Sequence, residues 1–399
     1  VETTAVRLYG KDDLRLETFE LPPIREDEIL AKVVCDSICM STYKAAEQGT
    51  AHKRVPKDAA QNPVIVGHEF CGELLEIGAK WREQFTEGQC FAIQPAVNDP
   101  ANIYASPGYS FPLIGGAATH IIIPNIFMER GCLLPYGGEA FYHGSLAEPM
   151  SCVVGGFHCM YHSEAGSYVH QMGIKEGGKM CLLAGAGPMG LGAIDYALHS
   201  GRRPSLLVVT DIDEKRLARA AGLYPPEHAK ECGVELIYVN NPSTQSLLEL
   251  STIHYPLSTG FDDVFVYVPI ASVVEQGGAV LGYDGCLNFF AGPTDSEFSA
   301  KLNFYDFHYS GHHTACNSGG NTDDMRESLA MMAAGQIDPS AMITHIGGLD
   351  AVIETTLNLP KIPGGKKLIY THLSLPLTAI EGLWTPEREK HLLKTGVLA

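Results

Sequence analysis

Two groups of residues in this chain carry chemistry by their type and spacing. The first is Gly185-Ala186-Gly187-Pro188-Met189-Gly190, with Asp211 closing the next apolar run. Glycines in a G-x-G-x-x-G turn let the backbone fold tightly and approach a pyrophosphate, whose charge is favoured at a helix N-terminus. A carboxylate at the position of Asp211 accepts hydrogen bonds from an adenosine ribose and repels a 2′-phosphate, so NAD(H) is expected and NADP(H) is the lesser expectation. The second group is Cys39 in DSICMSTYK, His68 and Glu69 in VIVGHEFCG, and Glu148 in SLAEPMSC. Catalytic zinc takes about three protein ligands from Cys, His and carboxylate and keeps one position open. Each of these residues taken singly reads rather as packing or structure, since lone cysteines are common in cores.

The elements around them must put these residues in place. Lys179–Ala184 has the pattern of a buried strand, Met189–Ser200 that of an amphipathic helix, and Leu206–Thr210 that of a second buried strand. Strand, glycine turn, helix and strand make a dinucleotide unit, although other Rossmann-like domains, such as methyltransferases, share it. Strands at Leu236–Val239, Asp263–Val268 and Cys286–Phe290 and helices at Asp213–Gly222 and Ser272–Glu275 continue the alternation, which predicts a parallel sheet covered by helices. Residues 1–150 differ. Short β patterns at Glu28–Cys35, Val64–Val66, Glu73–Ile77, Gln89–Ile93 and His120–Ile123, punctuated by Gly and Pro, predict a small irregular barrel. After Gly319-Gly320 a helix at about Thr322–Ala334 and strands at Ala341–Ile346 and Lys367–His372 are expected to return to that barrel. The expected division is therefore 1–160 with 317–399, and 161–316. In the tail, Thr385, Pro386 and Gly396 mark the cap, first turn and stop of a last helix.

With 399 residues, 45% of them hydrophobic, the chain can form two cores. Its formal charge of −18 disfavours nucleic acid and anionic membrane as partners and favours a small-molecule substrate. The N-terminal stretch alternates charged and apolar residues, unlike a signal peptide. The 11 cysteines show no disulfide spacing, so a reducing, cytoplasmic setting is expected. His308, His312 and His313 cluster in sequence with no local Cys or acidic partner, which favours a structural or interface role.

GHEFCGELLEIG resembles the GHE signature of the zinc-dependent medium-chain dehydrogenases. Ala147-Glu148-Pro149 is similar to the carboxylate ligand motif of their sorbitol dehydrogenase branch. The resemblance extends through GAGPMG, Asp211, GCLNFFAG and MITHIGGLDAVIETT, and so spans nearly the whole chain. Within the branch, GYSFPLIGGAATH and KLNFYDFHY before NSGGNTDDMR are most similar to the bacterial L-sorbose 1-phosphate reductases. The fold implied is a GroES-like β-barrel catalytic domain joined to a Rossmann domain with a doubly wound parallel sheet (α/β). The reaction implied is the interconversion of a ketose, or ketose phosphate, and its polyol, with L-sorbose 1-phosphate reduced to D-glucitol 6-phosphate.

The same resemblance implies roles. Cys39, His68 and Glu148 are the expected zinc ligands, and Glu69 is a displaceable ligand or, preferably, a carboxylate that tunes the metal from outside. Ser41 carries the relay hydroxyl. Lys44 stands where the family tends to have a histidine, and proton export, substrate binding and a solvent-facing position stay equal readings for it. Ala291 and Gly292, with Gly185, Gly187, Pro188, Met189, Gly190 and Asp211, are the expected cofactor contacts. No cysteine occurs in Gln94–Pro112, where many members hold a structural zinc, so one catalytic Zn²⁺ is expected and no structural one. Residues 44–58 hold Lys44, Lys53, Arg54 and Lys57 against Glu47 and Asp58, a net of +2 in an acidic chain. Lys53, Arg54 and Lys57 are thus candidates to pair with a substrate phosphate, or else form a solvated loop. A homo-oligomer is expected. A general polyol dehydrogenase, a zinc-free quinone reductase and a non-catalytic nucleotide-binding protein on the same scaffold are the rival readings.

Overall fold

The computed structural model describes residues 1–137, 140–164, 166–252 and 259–398. The chain forms two units, Val1–Ser151 with Asn321–Gly335 and Ile343–Ala399, and Cys152–Gly320 with Gln336–Met342. The second unit takes in residues 336–342 for a definite reason. Buried Asp195 accepts the Asp338 N–H at 2.7 Å, and Arg219 donates to the Ala341 carbonyl at 2.7 Å.

In the first unit the strand Ile29–Ile38 is the organiser. It pairs antiparallel with Phe70–Ile77, His120–Ile123 and Lys366–Tyr370, so residues far apart in sequence meet on one sheet. That sheet continues through Cys90–Ile93 and Leu133–Pro135 on one side and through Ile343–Gly348 and Thr378–Ala379 on the other. Ile29, Ala31, Val33, Phe70, Leu74, Phe91, Ile121 and Ile123 bury a common core, and burying each larger side chain contributes about 1.5–3 kcal/mol. A second sheet joins Asp13–Glu20, Glu2–Gly10 and Val64–Ile65. The last helix, Pro386–Thr395, has Thr385 as its cap and left-handed Gly396 as its stop. Its buried Glu389 accepts the N–H groups of Phe141 and Tyr142 at 2.6 and 2.8 Å, and the Tyr370 hydroxyl at 2.7 Å. A carboxylate at the start of Phe141–His158 completes orphan helix donors and complements the helix dipole.

In the second unit six parallel strands run in the order Glu235–Asn240, Leu206–Asp211, Lys179–Leu183, Phe261–Val266, Leu281–Phe289, His313–Ala315. The order reverses beside the first strand, which is the dinucleotide-fold topology. Of the elements that exceed or escape the sequence expectation, three are instructive. Ala271–Ala279 is a full helix where only four residues were expected. Its Gly277-Gly278 pair lowers propensity, yet a Cβ on Gly277 would come within 2.9 Å of Leu287. Phe141–His158 escapes because Gly144, Pro149, Gly155 and Gly156 disguise a helix of 18 residues. Met40–Gln48, a helix where no element was expected and whose end enters the basic segment 44–58, is the third.

Candidate functional site

The strand Ile29–Ile38 delivers Cys39 as the N-cap of Met40–Gln48. His68 and Glu69 follow Gly67, whose φ of +99° and close approach to Asp36 and Ala117 admit no side chain. The Sγ of Cys39, a ring nitrogen of His68 and a carboxylate oxygen of Glu69 all lie within 4.8 Å of one another. Glu148, 8% exposed on Phe141–His158, is outside that trio. Its charge nonetheless acts on both the Cys39 thiol and the Lys366 ammonium.

Two residues given no role from the sequence shape the cluster. Lys366 donates to both oxygens of Glu69, at 2.6 and 2.7 Å, and both side chains are buried. Burial works against each charge, but their mutual attraction prevails, holding Glu69 below and Lys366 above their ordinary values. Tyr109 donates its hydroxyl proton to Ser41 Oγ at 2.7 Å and lies 2.7 Å from His68 Nδ1. With its proton on Ser41, the tyrosine accepts from Nδ1–H, so the Nε2 lone pair faces Ser41 at 3.4 Å and Glu69 at 3.9 Å. The tyrosine is brought there by backbone contact, because a Cβ on Gly108 would sit 2.0 Å from the Gly67 carbonyl. Burial holds the His68 imidazole neutral, at about 4, and raises the Cys39 thiol to about 12, with Glu69 adding to the rise. Lys44, half-buried one turn beyond Ser41, is lowered by burial, an effect that Cys39 opposes.

The glycine turn is built from backbone. The helix Pro188–His199 has Gly187 as N-cap and Pro188 in its first turn. A Cβ on Gly190 would fall 1.9 Å from the Gly185 carbonyl, and one on Gly185 would fall 2.6 Å from Leu182 Cβ. The turn is tied to the neighbouring strand by Gly185 N–H on the Thr210 carbonyl at 2.8 Å. Met189 follows in the helix. Asp211 ends that strand, buried, with Oδ1 accepting from Asp213 N–H at 3.0 Å. After Leu281–Phe289 the Ala291 N–H donates to Val266 at 3.1 Å, with Gly292 next in the chain.

Residues 25–129 match the alcohol dehydrogenase GroES-like domain family. The chain is 52% identical to mannitol-1-phosphate 5-dehydrogenase of Aliivibrio fischeri over 95% of this chain and 89% of that one. It is 49% identical to L-sorbose 1-phosphate reductase of Klebsiella pneumoniae over 98% and 97%. The chain belongs to the zinc-dependent medium-chain dehydrogenase family. It is an oxidoreductase of the alcohol and polyol dehydrogenase class. A solved 2R,3R-butanediol dehydrogenase from Bacillus subtilis shares the fold, with TM-score 0.72 at 20% identity, over 93% of this chain and all of that one.

For a zinc-dependent dehydrogenase the donor set is chemically apt. A neutral imidazole with its Nδ1 held by Tyr109 offers Nε2, and a thiol that its surroundings hold protonated becomes a thiolate only beside a cation. All 11 cysteines are free thiols, and no helix among the described residues is long and apolar enough to cross a membrane. The basic candidates separate in space. Arg54 lies 5.4 Å over the Tyr109 ring, Lys53 lies 5.1 Å over Tyr104, and Lys57 donates to the Thr50 carbonyl. Only Arg54 of the three acts on His68, helping to hold the ring neutral. The sequence cluster His308, His312 and His313 does acquire an acidic partner, Asp284, at 2.7 Å from His313 Nε2, because neighbouring parallel strands bring the two together.

Proposed function

We propose that this dehydrogenase interconverts a phosphorylated ketose and its hexitol phosphate with NAD(H), L-sorbose 1-phosphate reduction to D-glucitol 6-phosphate being the leading reaction. The carrying observation is the Cys39–His68–Glu69 cluster, its histidine and carboxylate buried, with Arg54 over the ring of the tyrosine that holds His68. Cys39, His68 and Glu148 would hold one zinc ion, with Glu69 kept by Lys366 as the carboxylate behind it. Bound zinc supplies Lewis acidity to a carbonyl or alkoxide oxygen. The chain's own groups then do the rest. Ser41, held by Tyr109, gives or takes the proton at the reacting oxygen. Lys44, one turn along the same helix, stands next for proton exchange with solvent. Arg54 pairs with the phosphate. Gly185, Gly187, Pro188, Met189 and Gly190 cradle the pyrophosphate, Asp211 Oδ2 accepts from the ribose, and the backbone of Ala291 and Gly292 orients the nicotinamide. Exposed Tyr283, Phe304, Tyr305 and Tyr309 favour self-association.

The 52% identity to a mannitol-1-phosphate 5-dehydrogenase supports a second reading, with mannitol 1-phosphate as the polyol. Both relatives are named for a phosphorylated compound, so phosphate recognition is common to the two readings. The test is NADH oxidation with L-sorbose 1-phosphate beside free L-sorbose, and NAD⁺ reduction with mannitol 1-phosphate. Turnover of a phosphate ester far above the free sugar, abolished by chelator and restored by zinc, is expected. Arg54→Gln should raise KM for the ester roughly 10- to 100-fold, the worth of one charge-assisted hydrogen bond. Equal rates on phosphorylated and free sugars would overturn the phosphate assignment and leave a general polyol dehydrogenase.

A further inference from the structure

A second cluster of soft ligands lies in the dinucleotide unit. His199 ends the helix Pro188–His199, and His228 lies in the short helix Pro226–Glu231, whose C-cap is Cys232. One ligand atom from each of the three falls within 4.8 Å of the other two. The Cys232 Sγ is 3.8 Å from His199 Nε2 and 3.9 Å from His228 Nε2. In a tetrahedral zinc site, Zn–S and Zn–N bonds of the usual lengths put nitrogen and sulfur ~3.6 Å apart, so both separations are within a few tenths of an ångström of coordination.

The opposite ring nitrogens point the same way. His199 Nδ1 lies 2.9 Å from Asp195 Oδ1, and His228 Nδ1 lies 3.6 Å from Glu231 Oε2. At His199 the Asp195 carboxylate, within hydrogen-bond distance of Nδ1, fixes the tautomer that leaves Nε2 free for a metal and raises its basicity, while at His228 the Glu231 carboxylate only neighbours Nδ1. Asp195 is itself held, its other oxygen accepting from Asp338 N–H at 2.7 Å. Arg203 donates to the Cys232 carbonyl at 2.8 Å and so fixes the backbone that carries the thiol. The carbonyl end of the helix closed by His199 favours positive charge.

We propose that His199, His228 and Cys232 form a second metal site, for a soft divalent cation such as Zn²⁺, with water in the fourth position. It would clamp the end of Pro188–His199 to the segment that precedes the strand Glu235–Asn240. The ligand set differs from the four-cysteine lobe of many zinc dehydrogenases and lies in the other unit, and the assignment is independent of the substrate proposed above.

Cobalt(II) reports thiolate ligation through a sulfur-to-metal charge-transfer band. Full-length Cys39→Ser protein, stripped by chelator and checked for folding by circular dichroism, is titrated with Co²⁺. One equivalent should produce the band, Cys232→Ser in that background should abolish it, and His228→Gln should weaken binding at least tenfold. In the protein with Cys39 intact, Cys232→Ser should lower bound zinc by one equivalent per chain while leaving turnover within twofold. No band in the Cys39→Ser protein, or a band that survives Cys232→Ser, would overturn the site.

Discussion

The Cys39–His68–Glu69 cluster and the Gly185–Gly190 turn, the two binding devices proposed above, are made from opposite materials. The cluster is side chains from segments near residues 39 and 68, backed by Tyr109 and Lys366, with the pairing of Ile29–Ile38 to Phe70–Ile77 and to Lys366–Tyr370 bringing distant segments together. The turn is backbone, completed within a few residues, and it works because atoms are missing: a single Cβ at Gly190 would fall 1.9 Å from a carbonyl. Deleting a side chain should therefore empty the first site while sparing the fold. Adding a side chain should damage the second.

The largest effect expected follows from removing a donor. His68→Ala takes away the imidazole and the anchor for the Tyr109–Ser41 hydroxyl pair at once. We expect kcat/KM to fall by about 10³-fold or more, equivalent to roughly 4 kcal/mol, with bound zinc lost and the midpoint of thermal unfolding of the metal-free protein little changed. A variant that kept its zinc and lost only KM would break the contrast drawn above.

Next comes the ion pair behind the cluster. Lys366→Met strands Glu69 as a buried, uncompensated carboxylate, which costs about 3–5 kcal/mol, read as a lower urea midpoint. Adding Glu69→Gln should recover much of that loss, because the penalty belongs to the unpaired charge and not to either residue alone. If the double variant is no more stable than Lys366→Met, the pair is not coupled as its 2.6 and 2.7 Å contacts indicate.

The two regions were unequally legible in sequence. The glycine turn could be read directly, since its requirements are local: strand, G-x-G-x-x-G, helix, acidic residue. Cys39, His68, Glu69 and Glu148 could be nominated by residue type, but their choice over other cysteines and histidines rested on resemblance to a family. Tyr109 and Lys366 were invisible as site residues. Nothing near Lys366 in sequence announces Glu69, because antiparallel pairing across the sheet, 297 residues apart, makes the contact. A pair of lysines opening an apolar strand was the one available signal, since a buried lysine needs a partner. The His199–His228–Cys232 group was hidden for the same reason: only His228 and Cys232 show ligand spacing, and His199 arrives through the fold.

A smaller effect tests the turn. Gly190→Ala forces the helix start away from the Gly185 carbonyl, and overpacking of this kind costs about 1–3 kcal/mol. We expect it mainly as a raised KM for NADH, with bound zinc unchanged. Zinc lost together with cofactor affinity would mean that the two devices are not separable.

The smallest effect expected concerns which dinucleotide the turn accepts. Asp211 is buried at a strand end, and its Oδ1 is committed to the Asp213 N–H. On the proposed NAD(H) reading, Oδ2 would be the oxygen left to accept from a ribose hydroxyl, and the carboxylate would disfavour a 2′-phosphate. Asp211→Ser removes the repulsion and keeps a small polar acceptor, so the preference for NADH over NADPH should shrink by roughly 10- to 30-fold, about 1.4–2 kcal/mol. The ratio of kcat/KM for the two cofactors is the measurement, since it cancels any general loss of activity. Lys215 and Arg216 begin the next helix, within reach of Asp213, and supply positive charge that a 2′-phosphate could use once the carboxylate is gone. An unchanged ratio would show that dinucleotide choice lies with those residues and not with the carboxylate at the strand end.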